Sequence, residues 1–106
     1  MSVTHNCPCD RECGLQHAME MIGGKWKMPI LCALIIDGPV RYNDLKRKLA
    51  GISNTMLAKS LKELEENALL TRTEYPEVPI RVEYAATEKS RALAPILLEL
   101  SRWAFS

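Results

Sequence analysis

At Asn67, which can adopt the left-handed conformation that ends a helix, the apolar period of this chain changes. Before it, Leu57, Leu61 and Leu64 recur at spacings of four and three, which stacks them on one helix face. After it, residues 70–75 alternate, with Leu70, Arg72 and Glu74 on one side and Thr71, Thr73 and Tyr75 on the other. Residues 81–86 are β-prone again through Val82 and Tyr84, and the stiff segment Pro76-Glu77-Val78-Pro79 separates the two runs. The chain must therefore pass from a helix to a two-stranded hairpin within a few residues.

What precedes the change sets the context. Ser53 is placed to cap the helix that carries the leucines, and Ala50-Gly51-Ile52 forms a tight turn in front of it. A shorter helix, Asp44 to Leu49, capped by Asn43, leads into that turn. Two short helices joined through a glycine-containing turn are a helix-turn-helix, and with a stiff-tipped hairpin after them they make a winged helix. Upstream, Leu15, Ala18, Met19 and Ile22 give a first helix closed by Gly23-Gly24. A second helix runs from Lys25 to Ile36, with an apolar stripe of Trp26, Ile30, Leu31, Leu34 and Ile35, and stops at Asp37-Gly38-Pro39. Val40 to Tyr42 has room only for a brief β bridge.

Thr87 caps a last helix, Glu88 to Trp103, with a kink expected near Pro95. Its stripe of Leu93, Ile96, Leu97, Leu100 and Trp103 exceeds what so small a domain needs to close its core. We expect it to pair with a second copy, joined by Leu15 and Met19 of the first helix; the competing arrangement folds it back on its own domain. The expected class is mainly α with a small β-hairpin, a winged helix-turn-helix with N- and C-terminal dimerisation helices. Its division is a cysteine-containing tail over 1–12 and a DNA-binding and dimerisation domain over 13–106.

The face of the Ser53 helix opposite its leucines carries Asn54, Thr55, Ala58, Lys59 and Lys62, with no carboxylate before Glu63. Short polar side chains reach base edges in the major groove, and lysines meet phosphates. The bland reading is a solvated helix face. Net charge is only +1, yet residues 41–62 hold six basic side chains against one acid, an uneven distribution that suits nucleic acid. Candidate DNA contacts are Arg41, Ser53, Asn54, Thr55, Lys59 and Lys62, with Arg81 on the wing. The expected partner is double-stranded operator DNA. No apolar run reaches the length of a membrane span, so neither a membrane partner nor a location outside the cytoplasm is expected.

Several blocks together resemble the HxlR-type winged-helix transcriptional regulators, relatives of the MarR group. They are Ile22-Gly23-Gly24-Lys25-Trp26, the run from Gly38 to Leu45, Gly51-Ile52-Ser53 with Met56-Leu57, the run from Leu61 to Glu66, the run from Tyr75 to Pro79, Arg81-Val82-Glu83-Tyr84, and Thr87-Glu88. The resemblance implies a homodimer built through the first and last helices, with the Ser53 helix in the major groove and repression as the commoner outcome. Many members carry a cysteine thirteen residues before the tryptophan, and in some it senses electrophiles or oxidants; that position is Cys13 here. Departures fall at turns: Asn67-Ala68 replaces an acidic residue plus glycine, Ile80 replaces a proline, and Ser90 replaces a glycine.

Cys7, Cys9 and Cys13 crowd into one short stretch, and Cys32 stands alone in an apolar run, where we expect a buried small hydrophobe. A thiol just ahead of a helix gains thiolate character from the helix dipole, so Cys13, with Cys7 or Cys9 as partner, is a candidate redox switch. A metal site on Cys7, Cys9, Cys13 and His17, with His5 nearby, competes with it, although the spacing is not a usual zinc knuckle. No cofactor is expected. No phosphate loop, paired-carboxylate motif or nucleophile arrangement points to an enzyme. A winged helix used only for protein binding is the remaining alternative.

Overall fold

The computed structural model describes residues 14–106. Helices α1 (Gly14–Ile22) and α2 (Lys27–Asp37) lead into strand β1 (Val40–Arg41), α3 (Tyr42–Lys48) and α4 (Asn54–Glu66). Strands β2 (Leu70–Tyr75) and β3 (Arg81–Ala86) follow, and then α5 (Glu88–Arg91) and α6 (Ala94–Ala104). The expected winged helix-turn-helix is present. The tail expected over 1–12, with Cys7 and Cys9, and Cys13 at the start of the expected domain lie outside the described residues.

The alternation of 70–75 and 81–86 produces an antiparallel hairpin in which Leu70 pairs with Ala86 and Tyr75 with Arg81. The brief bridge expected at Val40 joins its inner edge, so the sheet has the order β1-β3-β2. Only Leu70 of β2 is buried, whereas Tyr84 and Ala86 of β3 face the core. The hairpin is thus rooted at one end and projects at the other. The core joins Ile30, Leu31 and Leu34 of α2, Leu45 of α3, Leu57, Leu61 and Leu64 of α4, and Leu69 and Leu70. Burying each such leucine stabilises the fold by about 1.5–3 kcal/mol, so the rotation of α4 about its axis is fixed by its own stripe.

Four local expectations need correction. Helix α2 begins at Lys27, with Trp26 at its N-cap. Asn43 does not cap α3: the extended backbone of Arg41, leaving β1, takes the cap position and Asn43 lies inside the helix. Asn67 has an ordinary φ of −93°, and the left-handed residue after α4 is Ala68, at φ 60°. Ala68 N–H donates to the Glu65 carbonyl at 3.0 Å and Leu69 N–H to the Leu64 carbonyl at 2.9 Å, the two bonds of a Schellman ending. Lastly, the segment after Thr87 is two helices: the chain breaks at Ala92-Leu93, where Pro95 withholds an N–H from any continuous ladder.

Gly23 closes α1 for a steric reason. Its N–H donates to the Met19 carbonyl at 2.8 Å, and a Cβ there would stand 2.3 Å from that oxygen. Ser90, where related chains are expected to have glycine, is fully buried and completes a reciprocal cap with Thr87: Ser90 N–H donates to Thr87 Oγ1 at 3.2 Å, and Thr87 N–H to Ser90 Oγ at 2.9 Å. The capped turn also holds the end of α4, since Thr87 Oγ1 donates to the Ala68 carbonyl at 2.8 Å and Lys89 Nζ to that of Asn67 at 3.1 Å.

Candidate nucleic-acid interface

Helix α4 is set by its cap at one end and its leucines along its length. Ser53 Oγ accepts from the Met56 N–H at 3.0 Å, which satisfies one of the free donors of the first turn. Leu57, Ser60, Leu61 and Leu64 are buried, and Asn54, Thr55, Ala58, Lys59 and Lys62 are all exposed. The five residues singled out in the sequence therefore share one open surface.

Two contacts that sequence reasoning missed hold this surface in place. The Tyr42 hydroxyl lies 3.2 Å from the Asn54 carbonyl oxygen and 3.3 Å from its Oδ1, so the first residue of α3 clamps the first residue of α4. With Oδ1 engaged, the Nδ2 donors of Asn54 are the part left for a base acceptor. From α2, Lys27 Nζ meets Glu63 Oε1 at 3.0 Å. The lysine's hydrogen bond and charge hold the Glu63 carboxyl below the ordinary carboxylate range. The first acid along α4 is thereby neutralised next to Lys59.

The basic residues divide into paired and unpaired. Arg47 pairs with Asp44 one turn back, and Lys48 Nζ reaches Asp37 Oδ2 at 2.9 Å. Among the described residues no salt bridge engages Arg41, Lys59 or Lys62, and all three are exposed. These three are therefore among the cations available to phosphate. Arg72, which the sequence reading passed over, lines a shallow hollow with Ala58 and Lys62; hydrogen bonding to Tyr84 and then to Glu74 raises its pKa further. The alternation of β2 marked its side but not its neighbour across the domain.

Arg81, the candidate DNA contact of the wing, is engaged within the hairpin. Its Nη2 lies 2.7 Å and its Nε 3.1 Å from Glu77 Oε2, its Nη1 pairs with Glu83, and its guanidinium sits 3.9 Å over the Tyr75 ring. Glu77, whose pKa Arg81 lowers, also feels the charge of Arg41. Arg81 thus braces the hairpin, with three of its five N–H donors turned to Glu77 and Glu83.

A second surface is apolar. Helix α6 has no buried residue, and Ile96, Leu100 and Trp103 are exposed on it, Trp103 by 73%. Leu15 and Met19 of α1 are exposed as well, while Leu93 and Leu97 are half-buried. Ile36, Leu98 and Phe105 add to this surface without having been foreseen. An apolar hollow of about 450 Å³ between α2 and α6 is lined by Cys32, Ile36, Leu97 and Leu98 among others, so Cys32 is half-buried and not a core residue. His17 is exposed on α1, 3.9 Å from Glu20, while the cysteines of the competing metal set lie outside the described residues. No helix among the described residues is long and apolar enough to cross a membrane.

Comparison with known proteins gives a consistent picture. The family described as HxlR-like helix-turn-helix matches residues 21–106. An uncharacterized HTH-type transcriptional regulator of Halalkalibacterium halodurans is 47% identical over 87 residues, which cover 82% of this chain and 77% of that protein. Among solved structures, the redox regulator HypR in its oxidized form is similar at TM-score 0.79 and 38% identity, covering 86% of this chain and 93% of HypR. The reduced form of the transcriptional regulator YodB from B. subtilis is similar at TM-score 0.77 and 38% identity, covering 85% of this chain and 87% of YodB.

Proposed function

Since this chain belongs to the HxlR-like helix-turn-helix family of transcriptional regulators, we propose that it is a homodimeric repressor of sequence-specific operator DNA, controlled by its N-terminal thiols. The observation that carries the DNA reading is the open face of α4, where Asn54, Thr55, Ala58, Lys59 and Lys62 stand together and the first acid along the helix, Glu63, is held by Lys27. In this reading α4 enters the major groove. Asn54 and Thr55 read base edges, and Ser53, through its cap, fixes where α4 begins. Lys59, Lys62 and Arg41 meet phosphates. The apolar residues of α6 and α1 support a second copy as the partner, since exposure of so many large side chains on one helix marks an interaction surface.

The thiol reading rests on sequence position and on similarity to the redox regulators HypR and YodB. Cys13 immediately precedes α1, a helix with exposed Leu15 and Met19. Oxidation joins Cys13 to Cys7, to Cys9 or to a thiol of the second copy. Two thiols lose two electrons and two protons to a peroxide, which leaves as water, and the new bond pulls on α1. The spacing of the two α4 helices follows.

The test is a titration of reduced protein against DNA from upstream of its own gene, with random DNA as competitor, repeated after mild peroxide treatment. Specific binding that disappears on oxidation and returns with reductant is expected. Specific binding that ignores oxidation would remove the thiol control and keep the regulator, and no binding in either state would sink the DNA reading. A Cys13→Ser protein should keep binding DNA in peroxide. If it loses binding as the parent does, Cys13 is not the sensor.

A further inference from the structure

We propose that the tip of the wing engages DNA through apolar rather than charged groups, with Val78 and Ile80 seated against the sugar walls of the minor groove that flanks the site read by α4. The proposal rests on the regulator reading above and adds a contact that it does not contain.

The electrostatics of the hairpin motivate it. From Thr71 to Glu83 the wing holds two arginines and three glutamates, so it has no net positive charge to offer a phosphate. Both arginines are already engaged: Arg72 with Glu74 at 3.2 Å, and Arg81 with Glu77, Glu83 and the Tyr75 ring. What the tip presents is apolar. Val78 is wholly exposed, Ile80 is 62% exposed, and Pro76 and Pro79 are exposed beside them. An isolated apolar residue on a surface needs no explanation, but here they crown a projecting hairpin whose outer end Arg81 braces through Glu77, Glu83 and the Tyr75 ring.

The position of the tip selects the occupant. Val78, Pro79 and Ile80 form one wall of a cleft of about 590 Å³ whose opposite wall is the start of α3, with Arg41, Tyr42 and Arg47. Arg41 is exposed, and the Tyr42 hydroxyl touches Asn54 at the head of α4. The tip therefore flanks the cationic face, and the groove next to an occupied major groove is a minor groove. Proline and branched aliphatic side chains are the groups that pack into minor grooves and wedge base steps. Two prolines and the Arg81 brace hold the loop in shape, so little ordering entropy opposes the contact.

The test uses full-length protein and a duplex that the parent selects from a random-sequence pool, titrated across a series of salt concentrations. The parent should bind with a steep salt slope. A V78S/I80S protein, altered only at exposed positions, should bind about tenfold more weakly with the parent's slope, because apolar contacts release no counterions. Adenine N3 atoms in the flanking minor groove should resist methylation under the parent and lose that protection under the double variant. V78K should bind more tightly and more steeply, as a new cation near phosphate requires. Unchanged affinity of V78S/I80S would overturn the proposal, whether or not V78K gains, and so would a shallower slope in V78S/I80S. Failure of the parent to select any DNA would instead bring down the regulator reading, and the wing contact with it.

Discussion

Asn54 owes its orientation to a residue twelve positions away. Removing only the Tyr42 hydroxyl, in Tyr42→Phe, should free the Asn54 amide and reduce discrimination among DNA sequences by about fivefold, the worth of about 1 kcal/mol of lost hydrogen bonding. Affinity for random DNA should stay at the parent's value in the same titration. Lys59→Ala and Lys62→Ala should do the reverse, weakening binding to every sequence and flattening the salt slope. Glu63 offers an independent check through pH. Lys27 depresses its pKa in the folded chain, so the stabilisation it brings is present above the ordinary carboxylate range and is lost as pH falls through the folded value. A carboxyl-detected NMR titration should find Glu63 among the last glutamates to protonate on acidification, and Lys27→Met should return it to the ordinary range. Neither Tyr42–Asn54 nor Lys27–Glu63 was legible in the sequence, because each joins different helices and no periodicity links them. Asn54, Thr55, Lys59 and Lys62 were legible because one helix period orders them all.

Caps and endings show how far local chemistry reads through. Ser53 announced the start of α4 and fulfils it, so Ser53→Ala should cost about 1 kcal/mol in chemical denaturation. The other end was misread by one residue: asparagine tolerates the left-handed conformation, yet the chain places Ala68 there. The Schellman bonds decide the matter, since they require the turn one position later than residue preference suggests. An L side chain in that region costs about 1–2 kcal/mol, partly offset in the unfolded state, so Ala68→Gly should stabilise by about 1 kcal/mol and raise Tm by about 4 °C. A lower Tm would mean that Ala68 carries a contact outweighing its backbone strain. The strands of the hairpin were readable to the residue, β2 from its alternation and β3 from the β-prone Val82 and Tyr84. The division of the last helix was not: a proline tolerated in a first turn and a proline that breaks a helix look alike until the preceding turn is seen to end at Arg91.

The terminal helices carry the case for assembly. Ile96 and Leu100 lie one turn apart on α6 and are exposed; if they join two copies as proposed, the parent should sediment as a dimer and replacing both with aspartate should leave a folded monomer at the same concentration. Its affinity for a two-half-site operator should fall by at least about 100-fold, as one half-site replaces two. Retention of the parent's sedimentation would place the second copy elsewhere. The surplus apolar stripe of α6 was visible from spacing alone; Ile36 and Phe105 were not, because which apolar residues stay outside depends on where the core ends. A helix with no fully buried residue in its own protomer has a consequence for the cell. If a second copy covers it, the free chain and the pair stand in a mass-action balance, and the fraction with Trp103 and Phe105 shielded rises with the amount of protein made. Scarce chains then present that surface to proteases and abundant ones conceal it, so the lifetime of this regulator becomes a function of its own supply.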